Sequence, residues 1–323
     1  MVNHTAVSFI IPHKGRETFL QQTLQSISTQ DFELGHLEII LVTQNTTISE
    51  EVLSYSKQLT LKVFYRPESE TISALRNFGV AQSSSDYLAF LDADVYLSSN
   101  WINSMIECLG QDKSRLLVSA IQKNSDSAPP LERIRTTLSN ATIDQNVNFL
   151  PGRNLFLKRE TFELVGGFPE HLITCEDYYF TDKVNQLGSL YYTSAAEYIH
   201  LGEDKSFWDM YKKEIWRGQS NLLSIKGRRI SLNEIPSFII PIVIPLCLVL
   251  GMFSIIVGGC LPGLSIILLG LLPFFAYIIR LYRLKNNTVG FSSIVKFYTL
   301  YFPARAIGTV VGIFKSLNAT APN

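Results

Sequence analysis

Tyr87-Leu88-Ala89-Phe90-Leu91-Asp92-Ala93-Asp94 is the stretch that decides how this chain is read. The apolar run reads as a short strand, and the aspartates directly after it stand where that strand ends. Upstream, Val7-Ser8-Phe9-Ile10-Ile11 is stopped by Pro12, and Leu37 to Val42 forms a second run. Between them Phe19, Leu20, Leu24 and Ile27 recur at helical spacing. Leu61 to Tyr65 reads as a third strand, and Ser73 to Gln82 as a helix leading into the run at Tyr87. Strands alternating with helices predict an α/β fold, a mostly parallel sheet with helices on both faces. Such sheets bind ligands beyond the carboxyl ends of their strands, so a site is expected after Ile11, Val42 and Leu91. Asp92 and Asp94 then lie at the binding edge. Hard carboxylate oxygens there suit Mg²⁺ or Mn²⁺, and such an ion can bridge protein carboxylates to a diphosphate. Two aspartates after a strand also serve as a turn or a helix cap. Neither a Gly-x-Gly-x-x-Gly nor a P-loop pattern follows any of these strands, so neither fingerprint is available to cradle a phosphate.

The chain has 323 residues, room for one or two domains. At 46% hydrophobic and 17% charged it is too apolar for a disordered chain, and some of its apolar sequence must lie outside an ordinary core. Lys plus Arg and Asp plus Glu are 28 each, so there is no global basic field and nucleic acid is not an expected partner. Cys108, Cys175, Cys247 and Cys260 stand far apart, which argues against a disulfide framework or a zinc site and fits a reducing compartment. Asn124 to Pro130 reads as a mobile loop.

The surplus apolar sequence sits near the end. Every residue from Ser237 to Ile279 is uncharged, about twice what one bilayer span needs. Gly258-Gly259-Cys260-Leu261-Pro262-Gly263 breaks the run, which predicts two transmembrane helices at about 236–257 and 263–282 within a segment 226–285. Lys226, Arg228 and Arg229 precede it and Arg280, Arg283 and Lys285 follow, so the positive-inside rule places both flanks in the cytoplasm and the turn outside. The first residues lack the basic region of a signal peptide, which keeps the expected N-terminal domain, 1–225, on the cytoplasmic face of a multi-pass protein. The remainder, 286–323, is apolar but carries Lys296, Arg305, Lys315 and Pro303. It is read as an amphipathic interfacial tail, with a third span as the alternative.

Several motifs in order resemble family 2 glycosyltransferases of the GT-A fold, in particular membrane-anchored bacterial members. They are Ser8 to Pro12 with Arg16, Glu38 to Val42, Arg76-Asn77-Phe78-Gly79, and Tyr87 to Asp94. Gly152-Arg153-Asn154, Phe162, Gly166-Gly167-Phe168 and Glu176-Asp177 are similar to the acceptor-side half of that pattern, and the matches cover roughly residues 6 to 220. The resemblance implies a nucleotide-sugar donor held by Pro12, Arg16, Thr43, Arg76, Asp92, Ala93 and Arg217. It implies Mn²⁺ or Mg²⁺ on Asp94 and Asp92 with His200 beside it, and an acceptor side at Gly152 and Asn154. Asp177 is implied as general base, with Glu176 orienting it. Inverting transfer in one displacement needs such a carboxylate opposite the leaving nucleotide, and a cation such as Arg76 or Arg217 for the charge that develops on the diphosphate. An acidic pair near Tyr178-Tyr179 also suits a solvated helix start, and a lone histidine also suits a structural role.

Two departures stand out. Thr43 occupies the place of the aspartate that pairs with the nucleotide base, and Thr71 that of a glycine opening the next helix. Trp216-Arg217 reverses the order found in processive synthases, so a polymerising enzyme is not expected. Trp208, Tyr211, Lys212 and Lys213 complete an aromatic and basic stretch that also suits an interfacial anchor. The sequence therefore predicts a glycosyltransferase at the inner (plasma) membrane, moving one sugar to a lipid-linked or glycan acceptor for cell-surface polysaccharide or glycolipid. A polyprenyl-phosphate glycosyltransferase and a catalytically silent membrane scaffold are the alternatives.

Overall fold

Each of the four apolar runs becomes a strand, because its residues divide between two cores on opposite faces of one sheet. The computed structural model describes residues 6–219, 235–284 and 289–318. The chain divides into two units, one of residues 1–125 and 142–202, the other of 126–141 and 203–323. The expected domain limit at 225 lies outside the described residues, and the division itself falls earlier, after Gly202.

In the first unit β1 (Val7–His13), β2 (Leu37–Thr43), β3 (Thr60–Tyr65) and β4 (Tyr87–Leu91) lie parallel in the order β3-β2-β1-β4. The links between them contain α1 (Glu17–Ser28), α2 (Glu50–Leu53) and α3 (Ile72–Ala81). Phe9, Ile11, Ile39 and Leu41 face Leu20 and Leu24 of α1, while Ile10, Ile40 and Val42 face Leu75 and Val80 of α3. Strands buried on both faces are what a helix-covered parallel sheet requires. The order reverses between β1 and β4, which opens a crevice at their carboxyl ends. Thr71 caps α3, its Oγ1 accepting from the Ala74 N–H at 3.3 Å with φ −77, so no glycine is needed where the resemblance leads one to expect it.

The second half of the sheet is mixed, where the sequence led us to expect mostly parallel pairing. It comprises β5 (Val95–Leu97), α4 (Trp101–Gly110), β6 (Arg115–Lys123), β7 (Gln145–Val147), β8 (Asn154–Lys158), α6 (Arg159–Val165), α7 (Glu176–Asn185) and β9 (Ser189–His200). β8 runs antiparallel between β4 and β6, and β9 is parallel to β6 but antiparallel to β5 and β7. Antiparallel pairing needs no crossover helix, so it leaves no alternation to read. Its consequence is local: Leu91 pairs with Asn154, and the Asp92 N–H donates to the Arg153 carbonyl at 3.2 Å.

At the opposite end of these strands Glu38, 1% exposed, accepts from Ser8 Oγ at 2.6 Å, the Ser84 N–H at 2.7 Å and Lys62 Nζ at 2.7 Å. Burial works to raise its pKa, but these donors outweigh it and hold the carboxyl below its ordinary 4.5. A carboxyl depressed in the folded state stabilises the fold above about 4.5, and that contribution disappears as pH falls through the folded value. Glu38→Gln is therefore expected to lower stability at neutral pH by roughly 2 kcal/mol, the scale of hydrogen bonds to a charged group. Thermal melts from pH 7 down to pH 3 check this: the gap from wild type should close below about 4.5, and a constant gap would remove the carboxylate charge from the account.

The second unit contains α5 (Pro130–Ser139), α8 (Phe207–Gly218), α9 (Ile235–Ile256), α10 (Cys260–Leu284) and α11 (Phe291–Asn318). Pro130, expected at the end of a loop, opens α5. α9 and α10 cover nearly all of the stretches 236–257 and 263–282 with a tighter turn than expected: only residues 257–259 interrupt the hairpin, and Pro262 is accommodated in the first turn of α10, where its missing N–H has no intrahelical partner to lose. Small residues bring the helices together, since a Cβ on Gly251 would lie 2.8 Å from the Gly263 carbonyl oxygen. Ile256, Leu261 and Leu272 are 77%, 78% and 68% exposed, part of an apolar surface far larger than water tolerates. Phe291–Phe314 is also long and apolar enough to cross a membrane, so among the described residues three helices meet that criterion. The flanking Lys226, Arg228, Arg229 and Lys285 lie outside the described residues.

Candidate active site

Arg76 is the hub of the site in the first unit. Helix α3 carries it inward until it is 1% exposed, a position a guanidinium tolerates only when paired. Nη1 donates to Glu176 Oε1 at 3.0 Å, and Nη2 donates to Asp92 Oδ1 at 3.0 Å and to the Gly152 carbonyl at 3.2 Å. Its guanidinium carbon sits 5.0 Å from the centre of the Phe168 ring. Burial works against its charge, but Asp92, Glu176 and Asp177 outweigh that and push its pKa above the ordinary value. One side chain thus ties the end of β4, the start of β8 and the start of α7 together.

The Glu176–Asp177 pair opens α7, where the helix dipole favours carboxylates. The Gly152 N–H donates to Asp177 Oδ2 at 3.1 Å and the Tyr178 N–H to Oδ1 at 2.8 Å. Each oxygen keeps a lone pair for another donor. Gly152 is closely packed here: a Cβ would lie 3.0 Å from both Arg76 Nη atoms and 3.1 Å from Asp177 Cβ. Burial, then the adjacent Asp177 carboxylate, raises Glu176 to about 7 against the pull of Arg76.

At the end of β4, His200 Nε2 lies 3.4 Å from Asp94 Oδ2, and Asp94 Oδ1 is buried without a hydrogen-bond partner. Burial would raise Asp94, yet His200 and Arg153 hold its pKa below the ordinary value. Asp92 moves the other way, raised by burial and by Asp94 despite Arg76. Among the described residues no group of three or more His, Cys, Asp or Glu side chains is close enough to hold a metal ion unaided.

The other predicted residues divide. Asp92, Ala93 and Asp94 occupy the expected edge, while Pro12 is buried and Arg16 is exposed, its guanidinium 4.9 Å from the Phe19 ring. Thr43, expected at the nucleotide, is wholly buried, with Oγ1 2.9 Å from His13 Nδ1. Asn154, expected on the acceptor side, is fully buried, and its Oδ1 accepts from the Ala120 N–H at 3.1 Å. That places Asn154 in the core, where it joins β8 to β6. Arg217 belongs to the second unit and pairs with Glu214 at 2.7 Å.

The sequence matches the Glycosyl transferase family 2 model over residues 8–166, the span that carries β1 to α6. Residues 8–166 belong to glycosyltransferase family 2. Among curated relatives of this chain, glycosyltransferase AglE of Haloferax volcanii is 24% identical over 236 residues, 71% of this chain and 77% of that protein. An uncharacterized glycosyltransferase of Haemophilus influenzae is 24% identical over 226 residues, 67% of this chain and 87% of the relative. Among solved structures, the mannosyltransferase PcManGT of Pyrobaculum calidifontis, in complex with GDP-Man and Mn²⁺, superposes with a TM-score of 0.65 at 16% identity, covering 95% of this chain and 87% of that one. S. aureus TarS 1-349 in complex with UDP-GlcNAc gives 0.51 at 16% identity, over 93% and 90% of the two chains. These superpositions establish the GT-A fold of the chain.

Some residues around the site were given no role from the sequence, although Asn77 and Arg153 lie within the motifs quoted above. Arg153 donates from Nε to Tyr198 Oη at 3.0 Å and lends its charge to both aspartates. Gly202 packs directly on the Asp94 carboxylate, where a Cβ would collide with Oδ2. Asn77 holds the loop before α7, its Nδ2 donating to the Phe168 carbonyl at 2.9 Å and its Oδ1 accepting from the Phe168 N–H at 2.9 Å. Tyr198 and Gly202 flank His200 in sequence, so their nearness to the histidine was the one signal available.

Proposed function

We propose that this chain is an inverting glycosyltransferase that moves a single sugar from a nucleoside diphosphate donor to an acceptor presented at the membrane, with a divalent cation. One observation carries the reading: Arg76 and Gly152 draw the Asp92–Asp94 edge and the Glu176–Asp177 pair into one site. In the reaction the acceptor hydroxyl oxygen bonds to the anomeric carbon, and the bond from that carbon to the diphosphate breaks. The electron pair leaves with the nucleotide, and the hydroxyl proton passes to Asp177. Two main-chain N–H groups hold the Asp177 carboxylate for that transfer, Glu176 is turned onto Arg76, and Arg76 fixes the distance between the donor edge and the base. Asp94 with its orphaned oxygen and the His200 imidazole fit part of a Mn²⁺ or Mg²⁺ shell, with substrate oxygens and water completing it. When bound, the ion neutralises charge on the leaving diphosphate.

Thermal shift with GDP-mannose and UDP-GlcNAc, each with and without Mn²⁺, tests donor and metal together through ligand linkage. A shift that needs Mn²⁺ is expected in wild type, and Asp94→Ala is expected to abolish it without lowering the melting point of the ligand-free protein. An undiminished Mn²⁺-dependent shift in that variant would take Asp94 out of the site.

The reading places α9 and α10 across the plasma membrane with both flanks in the cytoplasm. α11 lies in the headgroup layer, because Arg305 near its middle is 3.5 Å from Glu214 of α8, a helix that also bears Asp209, Lys212 and Lys213. Such a charged helix is costly at the bilayer centre. Burial works to raise Glu214, but Arg135, Arg217 and Arg305 hold it at about 2. Trp208 and Trp216 are exposed on α8, as suits an interface. Cys260, exposed at the turn, is expected to react with an impermeant thiol reagent added to intact cells, and a Cys260→Ser chain to stay unlabelled. Labelling of Cys260 only after permeabilisation would invert this topology.

A further inference from the structure

We propose that Arg153 is a further catalytic residue, the cation of the protein that contacts the donor's diphosphate and stabilises the charge it gains on leaving. This rests on the transferase reading above. The diphosphate leaves with more negative charge beside Asp92 and Asp94, where a cation within hydrogen-bond reach lowers the barrier. Arg76 does not supply it: at 1% exposure, with its Nη atoms bonded to Glu176, Asp92 and the Gly152 carbonyl, it offers no surface for a ligand to touch. Arg217 belongs to the second unit and pairs with Glu214. Arg16 lies over the Phe19 ring, and Arg66 is bonded to Glu70.

Arg153 has the position. The pairing of Leu91 with Asn154 sets it opposite Asp92, whose N–H donates to the Arg153 carbonyl at 3.2 Å. Its side chain is partly buried, and its Nε donates to Tyr198 Oη at 3.0 Å. Tyr198 and His200 are two apart on β9 and share one face of the strand. The first holds Arg153 and the second lies 3.4 Å from Asp94 Oδ2, so that face brings a guanidinium and the metal edge together. The charge of Arg153 reaches both Asp92 and Asp94. A phenol that is 1% exposed fixes the guanidinium by its Nε edge, and a planar fork held in this way suits paired phosphate oxygens. As the bond from the anomeric carbon to the diphosphate oxygen breaks, the diphosphate keeps the electron pair. The acceptor oxygen bonds to that carbon and its proton passes to Asp177. Arg153 donates hydrogen bonds to the diphosphate throughout and stays protonated.

The test uses the full chain in detergent with GDP or UDP, according to which donor gives the Mn²⁺-dependent thermal shift, and measures nucleotide affinity by calorimetry at saturating Mn²⁺. Arg153→Gln is expected to weaken the nucleoside diphosphate by roughly tenfold or more, the scale of one lost charge-assisted hydrogen bond, and to lower kcat with the donor saturating. Arg153→Lys keeps the charge near the aspartates without the fork, and should weaken it by about threefold. The Mn²⁺ concentration that gives half of the shift at saturating nucleotide should not rise in Arg153→Gln, because removing a cation leaves the carboxylates freer to attract the ion. Wild-type nucleotide affinity in Arg153→Gln, or a loss that appears only below saturating Mn²⁺, would overturn the contact and leave Arg153 acting through Asp92 and Asp94 alone. Should the Gln chain fail to fold, Arg153→Lys decides, and wild-type affinity in it would overturn the contact. If no nucleotide sugar shifts the wild-type melting point, the transferase reading itself falls and takes the Arg153 contact with it.

Discussion

Asp177→Asn is expected to lower turnover by about 10² to 10⁴, the range of a lost general base. The amide keeps the size of the carboxylate but has a single accepting oxygen, so it keeps one of the two N–H bonds that reach Asp177 Oδ2 and Oδ1, and a modest loss of melting temperature accompanies the loss of turnover. What disappears is the ability to take a proton from the acceptor hydroxyl. Steady-state kinetics with the donor saturating should show the loss in kcat, and the donor-induced thermal shift should persist. A variant that loses donor affinity and keeps its turnover would assign Asp177 to the nucleotide side.

Arg76→Met is expected to be the most damaging single change in the first unit. Methionine fills similar apolar space, but Asp92 and Glu176 lose their shared cation at 3.0 Å each, and Glu176 is only 12% exposed. Removing one partner from a buried pair costs about 3 to 5 kcal/mol, because the charge left behind is uncompensated. Melting of the detergent-solubilised chain should record the loss, and adding Glu176→Gln should recover part of it, a coupling that a double-mutant cycle measures. Arg76→Lys should restore charge but not activity, since an ammonium cannot span both carboxylates and the Gly152 carbonyl as a planar guanidinium does. A Met variant as stable as wild type would mean that the cluster is solvated.

The parts of this protein legible in the sequence are those whose physics is local. Val7 to Ile11, Leu37 to Val42 and Tyr87 to Leu91 reveal a helix-covered sheet because burial on both faces demands unbroken apolar runs. The uncharged stretch from Ser237 to Ile279 reveals the hairpin because a bilayer excludes charge over a known thickness. The position of Asp92 and Asp94 at the sheet's edge was readable because they directly follow an apolar strand, whereas Asp177 was singled out only through the family resemblance.

Tertiary structure decided the rest, since spacing along the chain carries no record of which distant side chains meet. Nothing near Arg76 says that it bonds Glu176 100 positions away, or that Gly152 packs closely between it and Asp177. Thr43 and Asn154 are both buried, Thr43 Oγ1 lying 2.9 Å from His13 Nδ1 and Asn154 Oδ1 accepting from the Ala120 N–H of β6, contacts that no spacing in the sequence records. Burial is a property of the assembled layers, and an apolar residue carries no mark of whether its neighbours will cover it.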